Sequence, residues 1–161
     1  KRNITILSMI VLAVITRLLP HPPNVAPITG IALFAGCNIK DKNLAFMLPL
    51  LCMFVTDLFL GFHMIMPFVY LSFMCISYIG ISSKKINNGT ILGSSFLFFL
   101  VTNFGVWYLG YPNTLAGLVS CYTLALPFFV NTIIGDLFFT HSLSYSFSKV
   151  ESKYPVINLG E

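Results

Sequence analysis

Apolar runs of near-spanning length recur from one end of this chain to the other, and the connections between them are too short to hold a domain of their own. That pattern excludes most folds. A helix crossing a bilayer needs about 20 mostly apolar residues, and six such segments use nearly all 161 residues. Only 9% of the residues are charged and 57% are hydrophobic, against roughly a quarter charged in soluble domains. The expected fold class is therefore all-α: a polytopic membrane protein folded as a six-helix transmembrane bundle, with residues 1–161 forming one transmembrane domain. The helices are expected over about 4–19, 26–39, 44–62, 66–81, 90–109 and 115–147. The second is short and rich in small residues: Ala26/Gly30 and Ala32/Gly36 are small-xxx-small pairs that let helices approach closely. The last is longer than one span needs and contains Pro127, so it kinks there or runs on beyond the bilayer.

The basic residues give the orientation. Lys1 and Arg2 precede the first run, Lys40 and Lys42 follow the second, Lys84 and Lys85 follow the fourth, and Lys149 and Lys153 follow the sixth. The alternate connections, Pro20 to Pro27, around His63, and Tyr111-Pro112-Asn113, carry no lysine or arginine. With six spans, the positive-inside rule makes the lysine side cytoplasmic and puts both termini there. The expected location is a bacterial-type inner (cytoplasmic) membrane. The formal charge of +4 is thus topological and gives no reason to expect nucleic acid as a partner; the bilayer is the partner the composition demands. The same topology disposes of Asn3-Ile4-Thr5 and Asn88-Gly89-Thr90 as glycosylation acceptors, since both would face the cytoplasm. The N-terminal run lacks a small-x-small cleavage site and reads as a retained first helix rather than a signal peptide.

Arg17 is the basic residue that breaks the pattern. It lies inside an apolar run, where an ionisable group costs at least about 2.5–3.5 kcal/mol and usually faces the bundle interior with a partner. Arg17, Asp57 and Asn103 sit equally far into helices 1, 3 and 5, about 20 Å from the cytoplasmic side. Tyr70 and Ser72, Trp107, and Cys121 and Tyr122 fall near the same level. Above them Pro20, Pro22, Pro23 and Pro27 stiffen a non-helical segment. The functional reading is a substrate-binding cluster of Arg17, Asp57, Asn103, Tyr70, Trp107 and Tyr122, rimmed by His21, Pro22, Pro23, Asn24 and His63. The alternative is an Arg17–Asp57 pair that locks helices together, with the aromatics as interfacial belt residues.

Asp136, counted inward from Leu115, lies about 31 Å down, at the cytoplasmic surface. There it is a solvated or capping aspartate, or a contact for a cytoplasmic-side partner. Asn131, less far down, needs a hydrogen-bond partner and is a second partner-contact candidate. Leu48-Pro49 before Thr56-Asp57-Leu58-Phe59 is echoed by Leu126-Pro127 before Gly135-Asp136-Leu137-Phe138, a weak sign of internal duplication. Cys37, Cys52, Cys75 and Cys121 have no Cys-x-x-Cys spacing and read as buried thiols, and the three histidines share no metal-ligand spacing. Neither a metal nor another cofactor is expected. His-Glu-x-x-His, Gly-x-Ser-x-Gly and Walker motifs are all missing, so the chain is not expected to be an enzyme.

Arg-Leu-Leu-Pro-His-Pro-Pro-Asn at 17–24 resembles the signature of an uncharacterised family of small six-helix membrane proteins. The resemblance extends to Thr56–His63, Thr102–Trp107 and Asn131–Phe138, and so covers nearly the whole chain. That family is distantly similar to the S components of energy-coupling-factor vitamin transporters. The resemblance implies a bundle that binds a small vitamin-like nutrient from outside and docks on a transmembrane scaffold subunit with cytoplasmic ATPases. Helix 1 departs from that pattern: S components often carry an Ala-xxx-Ala docking face there, whereas this helix offers Ser8 and Ala13. The alternative function is a structural or assembly subunit of a larger membrane complex, with other subunits as partners and no ligand of its own.

Overall fold

The second apolar segment, the shortest, is the one the others surround. The structure, a computed structural model, describes residues 2–153, with side chains from residue 4; Lys1 and the side chains of Arg2 and Asn3, part of the basic N-terminal cluster, lie outside the described residues. Six helices and no strand occur among the described residues: α1 (Arg2–Leu18), α2 (Ile28–Asn38), α3 (Lys42–Leu60), α4 (Met66–Ser82), α5 (Asn88–Gly110) and α6 (Leu115–Lys153). Every residue of α2 from Ile28 to Gly36 is buried. An isolated helix of this length is marginal in water; here it is apolar on all faces and is held by packing against every other helix.

Glycines make that packing close. A Cβ on Gly36 would lie 2.5 Å from the Ile81 backbone nitrogen, and one on Gly80 would lie 2.7 Å from the Ala32 carbonyl oxygen, so α2 and α4 meet backbone to backbone. On its other side α2 meets α6, where a Cβ on Gly30 would be 3.0 Å from the Thr140 backbone nitrogen. The inner faces of α4 and α5 follow the same chemistry, with Ser72, Ser77, Gly80, Ser94, Ser95 and Gly105 all buried or set against a neighbour. Small residues of this kind let helices pack by van der Waals contact.

The helix ends have local causes. Asp41 caps α3, its carboxylate accepting from the backbone N–H groups of Asn43 and Leu44 at 3.0 and 3.2 Å. Asn87 caps α5 through the Thr90 N–H at 2.9 Å, which starts that helix slightly before the position its apolar run suggests. Gly61, at φ +92° and ψ 158°, ends α3 at Leu60, short of Phe62, in a backbone conformation open to glycine and strained for other residues. Between α1 and α2 the Val25 N–H donates to the Pro22 carbonyl at 3.1 Å, with Asn24 at φ +64°. Proline at the first and asparagine at the second central position suit a turn that needs positive φ.

Outward faces are apolar. Leu51, Phe54, Val55, Leu58 and Phe59 of α3 are exposed, as are Val119, Leu126, Val130, Ile134 and Phe138 of α6. Three helices, α3, α5 and α6, are long and apolar enough to cross a membrane; α1, α2 and α4 are shorter apolar helices. Pro127 does not break α6, which runs as one helix of 39 residues and is about 60 Å long, twice the hydrocarbon core.

Gly80→Leu should therefore force α2 from α4 and destabilise the bundle by about 2 kcal/mol or more. Gly93→Leu, at a position with open space around it, should leave the thermal unfolding of the protein in detergent almost unchanged. Equal melting temperatures for the two variants would contradict a core built on glycine contacts.

Candidate functional site

Arg17 continues the inward stripe of α1 formed by Ile6, Ile10 and Ala13, at the i, i+4, i+7 spacing of one helix face. That register carries its guanidinium to α3. Nη2 donates to Asp57 Oδ1 at 2.8 Å, and Nη1 bonds the Met53 carbonyl at 3.3 Å and the Thr56 hydroxyl. The other carboxylate oxygen of Asp57 accepts from the Tyr70 hydroxyl at 2.9 Å. One carboxylate therefore ties α1, α3 and α4 together, with the Arg17 and Asp57 side chains only 15% and 6% exposed.

Beside this tether opens a cavity of about 540 Å³, within the usual range for small-molecule sites. Its mouth is framed by His21, Pro23 and Asn24 of the proline segment, by His63 between α3 and α4, and by Tyr111 between α5 and α6. The three connections that lack lysine and arginine thus meet around one opening. Arg17 and Asn103 line the wall, with Phe73, Phe98 and Phe128 as apolar surface, and Thr29, Thr102, Thr132 and Asp136 supply further polar groups. Lysine-bearing connections occupy the other end, where Lys42 Nζ bonds the Gly36 and Ile39 carbonyls and Cys37 Sγ donates to the Ser83 carbonyl.

Several residues expected in the cluster stand elsewhere. Asp57 and Tyr70 do not line the cavity; they hold Arg17. The Trp107 indole N–H donates to the Pro112 carbonyl at 3.2 Å, and the Tyr122 hydroxyl donates to the Leu100 carbonyl at 2.7 Å while its ring meets Phe99 edge-on. Tyr122 ties α6 to α5 and Trp107 ties α5 to the connection that follows it; neither lines the cavity. Ser72 is buried against its own helix, and Cys121 does line the cavity. At the rim Pro22 is not a lining residue but anchors the turn.

The expected surface position of Asp136 is corrected, and Asn131 finds the hydrogen-bond partner it was expected to need. Asp136 is not at a solvated helix end: it is 2% exposed and lies at the floor of the cavity, where the Ser95 hydroxyl donates to it at 2.6 Å. Thr29 also bonds its carboxyl. Asn131 donates to the Pro23 carbonyl at 3.2 Å, and Gly135 packs on Val25, so this stretch of α6 holds the proline segment. The depth count from Leu115 fails because the proline segment folds inward onto the middle of a helix twice as long as the membrane is thick. The Pro–Asp echo was the one sequence signal that set Asp136 beside Asp57. No group of three His, Cys, Asp or Glu side chains that could hold a metal occurs among the described residues.

This is an all-helical bundle with membrane-spanning character and an open, polar-floored cavity at one end. The chain belongs to a family described only as a family of unknown function (DUF6580), whose model matches residues 1–157. No curated protein and no solved structure matches it.

Asp57→Ala should cost about 3–5 kcal/mol by leaving Arg17 without its buried partner. The double variant Arg17→Ala/Asp57→Ala should lose less than the sum of the two single losses. Additive losses in thermal unfolding would mean that the pair is not coupled.

Proposed function

We propose that this chain is a six-span membrane protein with both termini cytoplasmic, and that it is a substrate-binding subunit for uptake of a small nutrient. The observation that carries the reading is the cavity, which opens where the three uncharged connections converge and has a polar floor and aromatic walls. In this arrangement the mouth faces the outside, and the lysines of the far end face the cytoplasm. Arg17 and Asn103 are the anchors from the wall and Asp136 from the floor. Asp57 and Tyr70 act through Arg17 by fixing its guanidinium, a positioning role in place of the direct contact first expected of them. The Pro22–Val25 turn, tied to Asn131, keeps the mouth open at low entropic cost.

Uptake needs energy that no ATP-binding motif in this chain supplies. The resemblance to S components supports docking on a transmembrane scaffold with cytoplasmic ATPases. Ala13 faces the bundle interior and is 7% exposed, so docking through an alanine face on α1 is not available. The exposed apolar faces of α3 and α6 serve that role instead.

A second reading, a structural subunit of a membrane complex, is favoured by Asp57, Trp107 and Tyr122, whose polar atoms are taken up inside the chain. Native mass spectrometry of protein extracted gently from its own membrane separates the two. The binding reading predicts a small molecule retained on the wild-type chain and lost in Thr132→Phe, which fills the cavity without touching the Arg17 tether. A ligand-free chain in a stoichiometric complex with other proteins would establish the structural reading.

A further inference from the structure

The presence of Arg17 in a substrate cavity suggests an anionic ligand, but the charges around the cavity argue for the opposite sign. Arg17 is already neutralised: its guanidinium contacts Asp57 at 2.8 Å, and its remaining bonds go to the Met53 carbonyl and the Thr56 hydroxyl. Asp136 has no such partner. Among the described residues no lysine, arginine or histidine pairs with it, and hydroxyls from Ser95 and Thr29 are the groups that bond it. One arginine against two aspartates leaves the cavity and its immediate surround with a negative balance. The carboxylate without a cationic partner lines the cavity and is 2% exposed.

An uncompensated buried carboxylate is costly, and ionisable groups inside a membrane bundle usually mark a ligand or ion path. The cavity is the place from which a cationic group can reach Asp136. Phe73 and Phe98 stand with ring centroids 5.2 Å apart, and with Phe128 they form its apolar wall. Aromatic faces attract organic cations over distances of about 6 Å. Asn103 spends one amide N–H on the Phe99 carbonyl at 2.8 Å, which leaves its carbonyl oxygen and its second N–H to offer a ligand. The Asp136 carboxylate on the lining, with Arg17 already paired, makes the cavity less favourable to an anion than the presence of an arginine suggests.

We propose that the ligand of this cavity is a small organic cation with an aromatic or similarly flat apolar body, its positive centre paired with Asp136 and its body against Phe73, Phe98 and Phe128. This rests on the binding reading above and names its substrate class. The acidic floor selects the cation, and Arg17 at the wall, already paired, excludes a second positive group.

Isothermal titration calorimetry on the protein in zwitterionic lipid nanodiscs tests the assignment with three probes of one shape: benzyltrimethylammonium, benzyl alcohol and benzoate. Benzyltrimethylammonium should bind most tightly, and Asp136→Asn should weaken it at least about tenfold while leaving benzyl alcohol unchanged. The isosteric substitution retains an acceptor for Ser95, and an unaltered melting temperature verifies its fold. Benzoate binding as tightly as the ammonium probe, or an ammonium affinity indifferent to Asp136→Asn, would overturn the cation assignment while leaving the binding reading intact. No heat from any of the three probes would also overturn it. The binding reading itself falls on a separate result, a wild-type chain that carries no small molecule out of its own membrane.

Discussion

Everything in this bundle depends on a short helix that could not stand alone. α2 is buried on all sides, and it is admitted to the centre because Gly30, Gly36 and Gly80 let three backbones approach within van der Waals contact. In a bilayer the hydrophobic effect does little to press helices together, so close packing of small residues has to supply the cohesion. Because α2 is short, its N-terminal end stops below the tops of its neighbours. The proline segment that precedes it folds inward onto α6 at Asn131 and Gly135. The cavity is the space left beside that inward fold, with His21, Pro23 and Asn24 at its mouth. Core and cavity have the same cause.

Two carboxylates then divide the electrostatics. Asp57 is fully used, with one oxygen on Arg17 and the other on Tyr70, and it ties three helices together. Asp136 lines the cavity, and its partners among the described residues are hydroxyls. The first is a buried pair whose value lies in fixing geometry; the second is a buried carboxyl with no cationic partner among the described residues. Each follows a proline within its own helix, Pro49 in α3 and Pro127 in α6.

Much of this arrangement was legible in the sequence. Six helices follow from six apolar runs, and the central place of α2 is foreshadowed by its small residues and its lack of a polar face. The Arg17–Asp57 contact follows from placing both at one depth. What could not be read was how the levels of different helices relate. Counting from Leu115 assumes that α6 begins at the membrane surface and that every connection lies outside it. The inward proline segment breaks that assumption, and it moved Asp136 from a presumed surface to the cavity floor. Trp107 and Tyr122 were misplaced for a different reason: their partners are backbone carbonyls of Pro112 and Leu100, which no side-chain pattern reveals.

The central claim is that the polar floor under the proline segment is reached from outside the cell. Thiol labelling tests it most directly. Thr132→Cys would be placed in a chain with Cys37, Cys52, Cys75 and Cys121 replaced by alanine, and intact cells treated with a small membrane-impermeant thiol reagent. The account predicts labelling at position 132 from outside and none at a control cysteine replacing Ser83, at the lysine-bearing end. Labelling of the control alone, or of position 132 only after the membrane is opened, would contradict it.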